Sequence, residues 1–276
     1  MNNTIPNWLK NIRDDKYITE LCIPGSHDTM TSMCEDVYYK TQSLSLSEQL
    51  NIGLRFFDFR ITRNLVAAHR EWISDITATS MFDELVTFLD KNPSEFIIIR
   101  LQNANENKDD FDQYKVIIQE FIANYLDSIF TPKPNERNTY DWPSVGEARG
   151  KIIVIDSSDP SLNISTINNV RWAYNWHDND DIILQDNWDG PKLKNKIRDI
   201  EEVLPPSNHN NKDLILNHIS ATNGYLGNPV AYAELVNPII EDRIEKIKDS
   251  SGVGILIYDF VYDSVAAKTI DANEFI

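Results

Sequence analysis

Cysteine, glycine and positive charge are all scarce in this chain of 276 residues. Two cysteines, Cys22 and Cys34, cannot supply a disulfide framework, and no Cys/His spacing suits a structural zinc. Cys22 lies in an apolar run and reads as a buried reduced thiol. Lys and Arg number 26 against 43 Asp and Glu, a formal charge of -17. Such a chain lacks the basic surface that displaces counterions from nucleic acid, so a generic nucleic-acid binder is excluded. Long-range attraction to an anionic membrane is excluded with it, and membrane contact has to come from aromatic or aliphatic side chains or a local patch. No apolar run approaches the roughly 18 residues of a transmembrane helix, and the N-terminus MNNTIPNWLKNIRDD lacks a basic segment followed by an apolar one. The expectation is a soluble protein, exported by another route, delivered as an effector or kept in the cytoplasm.

What is present is ordinary for a globular protein: 41% apolar and 25% charged residues suffice for a sizeable core. The length fits one α/β barrel of roughly 250 residues, so one domain over residues 1–276 is expected. Short Ile/Val/Leu-rich runs alternate with segments of helical period, the pattern of a parallel α/β fold. The strand candidates are ELCIPG, LRFFDFR, NLVAAH, FIIIRLQ, KIIVIDS, VRWAYNW, LILNHIS and GVGILIYDF, about the number of a TIM-type (βα) barrel, distorted or incomplete. Helices are predicted near Ser80–Lys91, Phe111–Leu126, Lys192–Val203, Tyr232–Lys248 and Ser264–Ala272, with turn chemistry at Asn228-Pro229 before the fourth. PSNHNNKD and HDNDD read as surface loops. A doubly wound open sheet is the rival fold.

In a barrel the chemistry gathers at the C-terminal ends of the strands. The first strand ends Ile23-Pro24-Gly25-Ser26-His27-Asp28, where Pro and Gly break it just before a histidine and a carboxylate. In Gly53-Leu54-Arg55-Phe56-Phe57-Asp58-Phe59-Arg60 the period of two puts Asp58 and Arg60 on one side and Phe57 and Phe59 on the other. A third candidate strand ends in His69-Arg70, and the last ends Tyr258-Asp259. Each alone is compatible with a surface turn, an ordinary ion pair or a structural histidine. Together, two histidines, three carboxylates and an arginine at strand ends point to acid–base chemistry on an anion. An imidazole titrates near neutrality, so one ring can be neutral while its partner is charged. A guanidinium grips two phosphate oxygens and stays protonated.

IPGSHDT, QLNIGLRFFDFR, NPSEFIIIRL, GEARGKIIVI and the closing GILIYDF resemble, in order and over nearly the whole chain, the bacterial phosphatidylinositol-specific phospholipase C family with its X-domain barrel. The resemblance implies that His27 is the general base for the inositol 2-hydroxyl and that His69 protonates the departing diacylglycerol oxygen. It implies that Asp259 orients His27, Asp28 supports His69, Asp58 holds Arg60, and Arg60 stabilises the phosphate. The products it implies are diacylglycerol and inositol 1,2-cyclic phosphate. Metal-dependent relatives carry an aspartate where Arg60 stands, so no cofactor and no calcium are expected here. Gln102, Asp186 and Trp188 are the expected substrate contacts, Trp188 standing where the family stacks a tyrosine on the inositol ring. Tyr38 and Leu226 fall where the family uses tryptophans for membrane contact, so transient binding to the surface of an inositol-lipid membrane is expected, with Tyr39 and Tyr225 as further contributors. The chain departs from the family at Arg70 (usually glycine), Gln102 (commonly lysine) and Ser157 (near a family arginine). With both basic groups lost, unphosphorylated phosphatidylinositol is less strongly implied. His177, His209 and His218 match no catalytic position. Two other readings remain: a metal-dependent glycerophosphodiester phosphodiesterase or related lipase D, and a non-catalytic module binding an inositol phosphate or lipid headgroup.

Overall fold

The computed structural model describes residues 5–104, 111–135, 139–204, 212–247 and 253–276. The strands are β1 (Cys22–Ser26), β2 (Phe56–Ile61), β3 (Val66–His69), β4 (Trp72–Thr77), β5 (Ile97–Asn103), β6 (Ile152–Asp156), β7 (Thr166–Ile167), β8 (Val170–Arg171), β9 (Tyr174–Asn175), β10 (Ile182–Gln185), β11 (Leu214–His218) and β12 (Gly254–Tyr258). The helices are α1 (Leu46–Asn51), α2 (Ala78–Lys91), α3 (Phe111–Ala123), α4 (Val145–Ala148), α5 (Leu193–Glu202), α6 (Pro229–Ile244) and α7 (Asp263–Asp271). Parallel strands pair in the order β10-β11-β12-β1-β2-β5-β6-β9. Among the described residues β9 and β10 do not pair, so the sheet curls into a TIM-type barrel left open at that seam.

Period-two alternation sorts each strand between two apolar layers. Ile23, Phe56, Ile98, Ile153, Leu216 and Ile255 face the barrel interior and share one buried cluster with Trp8, Leu9 and Ile18 of the N-terminal segment. Phe57, Phe59, Ile97, Ile99, Val154 and Leu256 face outward onto Phe82, Leu85, Ile118 and Val236 of the helices. Gly25 is required on the inner face, because a Cβ there would stand 2.8 Å from Phe56 Cβ.

The expected strand number is right, but its members differ. NLVAAH is no barrel strand: β3 forms an antiparallel hairpin with β4 and is joined in register to the barrel where Ala67 pairs with Ile61 of β2. The eighth place belongs to β10, a four-residue run too short to stand out beside the acidic loop before it. VRWAYNW supplies only the two residues of β9, with β8 turning back on β7 in a separate hairpin. α1 was not foreseen, although Ser45 and Glu48 form a capping box at its start. α6 begins at Pro229, capped by the Asn228 side chain accepting from Ala231 N–H at 3.0 Å. The Asn-Pro pair thus belongs to the helix start. Lys248, the expected end of that helix, lies outside the described residues, as do His209 and most of the PSNHNNKD loop.

The barrel end where the strands begin is tied by buried charge. Arg55 and Glu95 are both wholly buried, and Arg55 Nη2 and Nε donate to one Glu95 carboxylate oxygen at 2.8 and 3.0 Å. Arg55 also donates to the carbonyls of Leu54, at 2.6 Å, and of Pro6. Arg149 donates to the carbonyls of Leu9, at 3.1 Å, Ile12, at 2.9 Å, and Ser94. Breaking a buried pair from one side strands the other charge, so Glu95→Ala is expected to cost about 3 to 5 kcal/mol. Urea unfolding checks this, and a loss below about 1 kcal/mol, as for an exposed pair, would contradict the assignment.

Candidate active site

Parallel registry brings the strand ends together. Ser26 stands opposite Tyr258, so His27 and Asp259 leave adjacent strands side by side, and His27 Nδ1 lies 2.7 Å from Asp259 Oδ1. Asp28 turns the chain with a positive φ of 42°, a conformation that aspartate tolerates better than most residues. One of its carboxylate oxygens, Oδ2, then lies 3.3 Å from His27 Nε2 and 3.0 Å from His69 Nε2. The other, Oδ1, pairs with Arg60 Nε. Arg60 Nη2 meets Asp58 Oδ2 at 3.2 Å and His27 Nε2 at 3.0 Å. His27, Arg60, His69, Asp28, Asp58 and Asp259 therefore form one connected cluster.

His69 reaches the cluster from the β3–β4 hairpin, with its Nδ1 donating to the Tyr39 carbonyl at 2.7 Å. Arg70, at the hairpin tip, has φ +54°, where a side chain costs about 1 to 2 kcal/mol and glycine costs nothing. The departure from glycine is thus accommodated by strain, and the turn that carries His69 is kept. Gln42, which sequence reasoning missed, donates through Nε2 to the carbonyls of His27 and Tyr258, both at 2.8 Å, and so locks β1 to β12 beneath the site.

Electrostatics separates the two imidazoles. Burial disfavours charge on His27, but Asp28 and Asp259 on either side outweigh it and raise its pKa to about 9. Burial dominates at His69, and with Arg60 and His27 nearby its pKa falls to about 4 despite Asp28. Arg60 and Arg100 overcome burial at Asp58 and hold it below the usual carboxylate range. The resting site thus places a single proton on the histidine couple, on His27, the reverse of the charges that the expected roles need at the moment of reaction. Both Nε2 atoms flank Asp28 Oδ2, which gives a proton a short path between the rings.

A cavity of about 450 Å³ opens over this cluster. Tyr38, Gln102, Asp186 and Trp188 all line it, as do Arg70 and Arg100, which sequence reasoning did not assign to the site. Trp188 is 41% exposed and its ring lies 6.0 Å from the Arg70 guanidinium, so it is not a buried packing residue. The signal for Arg100 was available, since the period that aligns Asp58 with Arg60 also aligns Arg100 with Gln102, and the register is Asp58 to Arg100 and Arg60 to Gln102. Leu226 is half-buried against the core, while Tyr225 of the same turn is 76% exposed. Gly224 and Gly227, both at positive φ, bend this turn so that Leu226 points back onto the core. His218 is buried, with its ring 5.7 Å from that of His27. His177 is exposed on its loop.

Among the described residues, His27, Asp28 and Asp58 could together hold a metal ion. The Arg60 guanidinium already contacts all three, and a second cation does not fit that donor set.

Residues 15–158 match the family described as phosphatidylinositol-specific phospholipase C, X domain. The chain is similar to the 1-phosphatidylinositol phosphodiesterase of Listeria monocytogenes, with 31% identity covering 99% of this chain and 86% of that protein. This chain belongs to the phosphatidylinositol-specific phospholipase C X-domain family. A 1-phosphatidylinositol phosphodiesterase of Staphylococcus aureus is 25% identical over 97% of the chain and 94% of its own length. The solved phosphatidylinositol-specific phospholipase C from Listeria monocytogenes superposes with a TM-score of 0.89 at 28% identity, covering 99% of this chain and all of that one.

For this X-domain protein an NMR titration of the imidazoles is expected to find His27 charged and His69 neutral between pH about 4 and about 9. A second proton joins below that window and the first is lost above it. Both rings neutral at pH 7 would contradict the arrangement, and Asp28→Asn should bring the His27 pKa down.

Proposed function

We propose that this chain, over residues 1–276 as one catalytic unit, is a metal-independent phosphatidylinositol-specific phospholipase C that releases diacylglycerol and inositol 1,2-cyclic phosphate. The observation that carries the reading is the pair of imidazoles meeting one oxygen of Asp28, whose other oxygen is clamped by Arg60. His27, held through Nδ1 by Asp259, takes the proton of the inositol 2-hydroxyl on Nε2. The freed oxygen bonds to phosphorus as the phosphorus–glycerol oxygen bond breaks. That glycerol oxygen is protonated by His69 acting with Asp28, after the resting proton has moved from His27 across Asp28. Arg60, aimed by Asp58 and Asp28, meets the charge that grows on the phosphoryl oxygens. Attack from within the same molecule removes the entropic cost of bringing in a nucleophile.

The test is release of water-soluble inositol phosphate from phosphatidylinositol vesicles, with and without chelator. Cyclic phosphate resistant to chelator and lost by at least about a hundredfold in His27→Ala is expected, the scale of general acid–base catalysis. Abolition by chelator would favour a metal-dependent phosphodiesterase, and no release from any inositol lipid a binding module.

The substrate lies in a membrane, and apolar side chains are exposed at Tyr38 (56%), which lines the cavity, and nearby in sequence at Met33 (75%) and Val37 (52%), with Tyr225 (76%) two residues after the cavity-lining Asn223. They form the transient membrane contact, with the acidic Glu35 and Asp36 among them keeping it weak on anionic surfaces. No helix among the described residues is long and apolar enough to cross a membrane, and the protein acts from the surface. Each buried apolar side chain is worth about 1.5 to 3 kcal/mol. The double variant Val37→Ser/Tyr225→Ser should therefore bind neutral vesicles at least about tenfold more weakly, while turnover of a water-soluble phosphodiester analogue stays unchanged. Equal binding by flotation would remove these side chains from the contact.

A further inference from the structure

Resting on the phospholipase reading, we propose that Arg100 is a headgroup-positioning residue, a donor to the ring hydroxyls of inositol from β5, that takes the place of the family's basic groups at Gln102 and Ser157. Arg100 is 8% exposed, lines the cavity, and lies on the inner face of the strand two residues before Gln102. Its Nη2 donates to Ser157 Oγ at 3.0 Å, so the guanidinium fills the space beside the position where the family carries arginine. Its carbon stacks 4.1 Å from the Trp176 ring centroid, which fixes the plane of the fork.

The balance of charge around Arg100 is incomplete. Its nearest carboxylate oxygen, Asp58 Oδ1, is 3.7 Å away, while Asp58 gives its other oxygen to Arg60 at 3.2 Å. Among the described residues, Arg100 Nε is buried without a hydrogen-bond partner. A buried guanidinium whose nearest carboxylate lies beyond hydrogen-bond distance is under-compensated, and is matched to an acceptor arriving from the cavity that it lines. Asp186 lines the same cavity and would accept where Arg100 donates. A donor and an acceptor lining one cavity suit a neutral polyol, whereas a further ring phosphate would meet the Asp186 carboxylate. The same placement answers the apparent loss of both basic groups: the cation stands one inward position deeper on the strand of Gln102 and on the strand next to the one that ends just before Ser157.

The test combines calorimetric binding of myo-inositol with steady-state turnover on phosphatidylinositol vesicles, for the native protein, Arg100→Gln, Arg100→Lys and the exchange Arg100→Ser/Ser157→Arg. Arg100→Gln should weaken myo-inositol binding and raise KM by about tenfold each, with kcat changed much less, the mark of lost ground-state binding. Arg100→Lys should recover part of the affinity, and the exchange most of it, because it returns a guanidinium to the same space. Unchanged inositol affinity with a fall in kcat would overturn the proposal and leave Arg100 as a support for Asp58. If Arg100→Gln fails to fold, an exchange variant that folds but does not bind inositol overturns it equally. A native protein that binds myo-inositol yet turns over no lipid would sink the phospholipase reading and leave the role of Arg100 to be decided by the binding arm.

Discussion

The site depends on the Arg60 guanidinium. Asp28, Asp58 and Asp259 are each at most 3% exposed and crowd one end of the barrel. Carboxylates so buried stay charged only when a cation compensates for lost water. Arg60 contacts Asp28, Asp58 and His27 at once, so a single side chain from β2 ties the turn after β1 to its own strand. Removing it would leave mutually repelling carboxylates and shift every proton affinity around them. The arginine is therefore as much a condition for the ionised site as a group that meets phosphate.

A second buried guanidinium, Arg55, does the corresponding work at the other end of β2. Arg55 stands just before β2 and, being an odd number of residues from Arg60, falls on the opposite face, with its guanidinium over the Phe88 ring of α2, so the two arginines serve opposite ends of the barrel from opposite sides of the strand. The strings that carry the family resemblance divide accordingly. IPGSHDT and the Asp58–Arg60 portion build the reactive end, where barrel enzymes place chemistry. Glu95 of NPSEF and Arg149 of GEARGKI are committed to holding the N-terminal segment across the opposite end. This explains why NPSEF and GEARGKI are recognisable although no residue of either lines the cavity.

Much of the site was legible because strand geometry is so restrictive. Once LRFFDFR is a strand, Asp58 and Arg60 must share a face, and a strand broken by Pro24 and Gly25 must present His27 and Asp28 at its end. Arg100 was legible by the same rule. It went unread because it lies between apolar residues one step deeper than the strand tip, where a charge is unexpected. The route of His69 was not legible: four residues of β3 look the same whether they enter a barrel or a hairpin, and only the partner strand decides. Leu226 and Tyr225 show a similar limit, since which of two adjacent apolar residues meets solvent depends on positive φ angles at Gly224 and Gly227.

A net charge of -17 is not in conflict with an anionic lipid substrate. Screening confines exposed charge to about 8 Å at physiological ionic strength. Arg60, Arg70 and Arg100 line one cavity, where a bound phosphate is nearer to these cations than to most of the acidic surface. In the proposed function the acidic exterior would limit how long the protein rests on an anionic bilayer, while the cavity would decide what it holds there. On the proposed reading, exposed apolar side chains and the guanidiniums of the cavity divide the task, with weak adhesion and specific headgroup recognition. An enzyme that must leave one lipid to find the next gains from that division, because tight adhesion would slow its movement without strengthening its grip on the transition state.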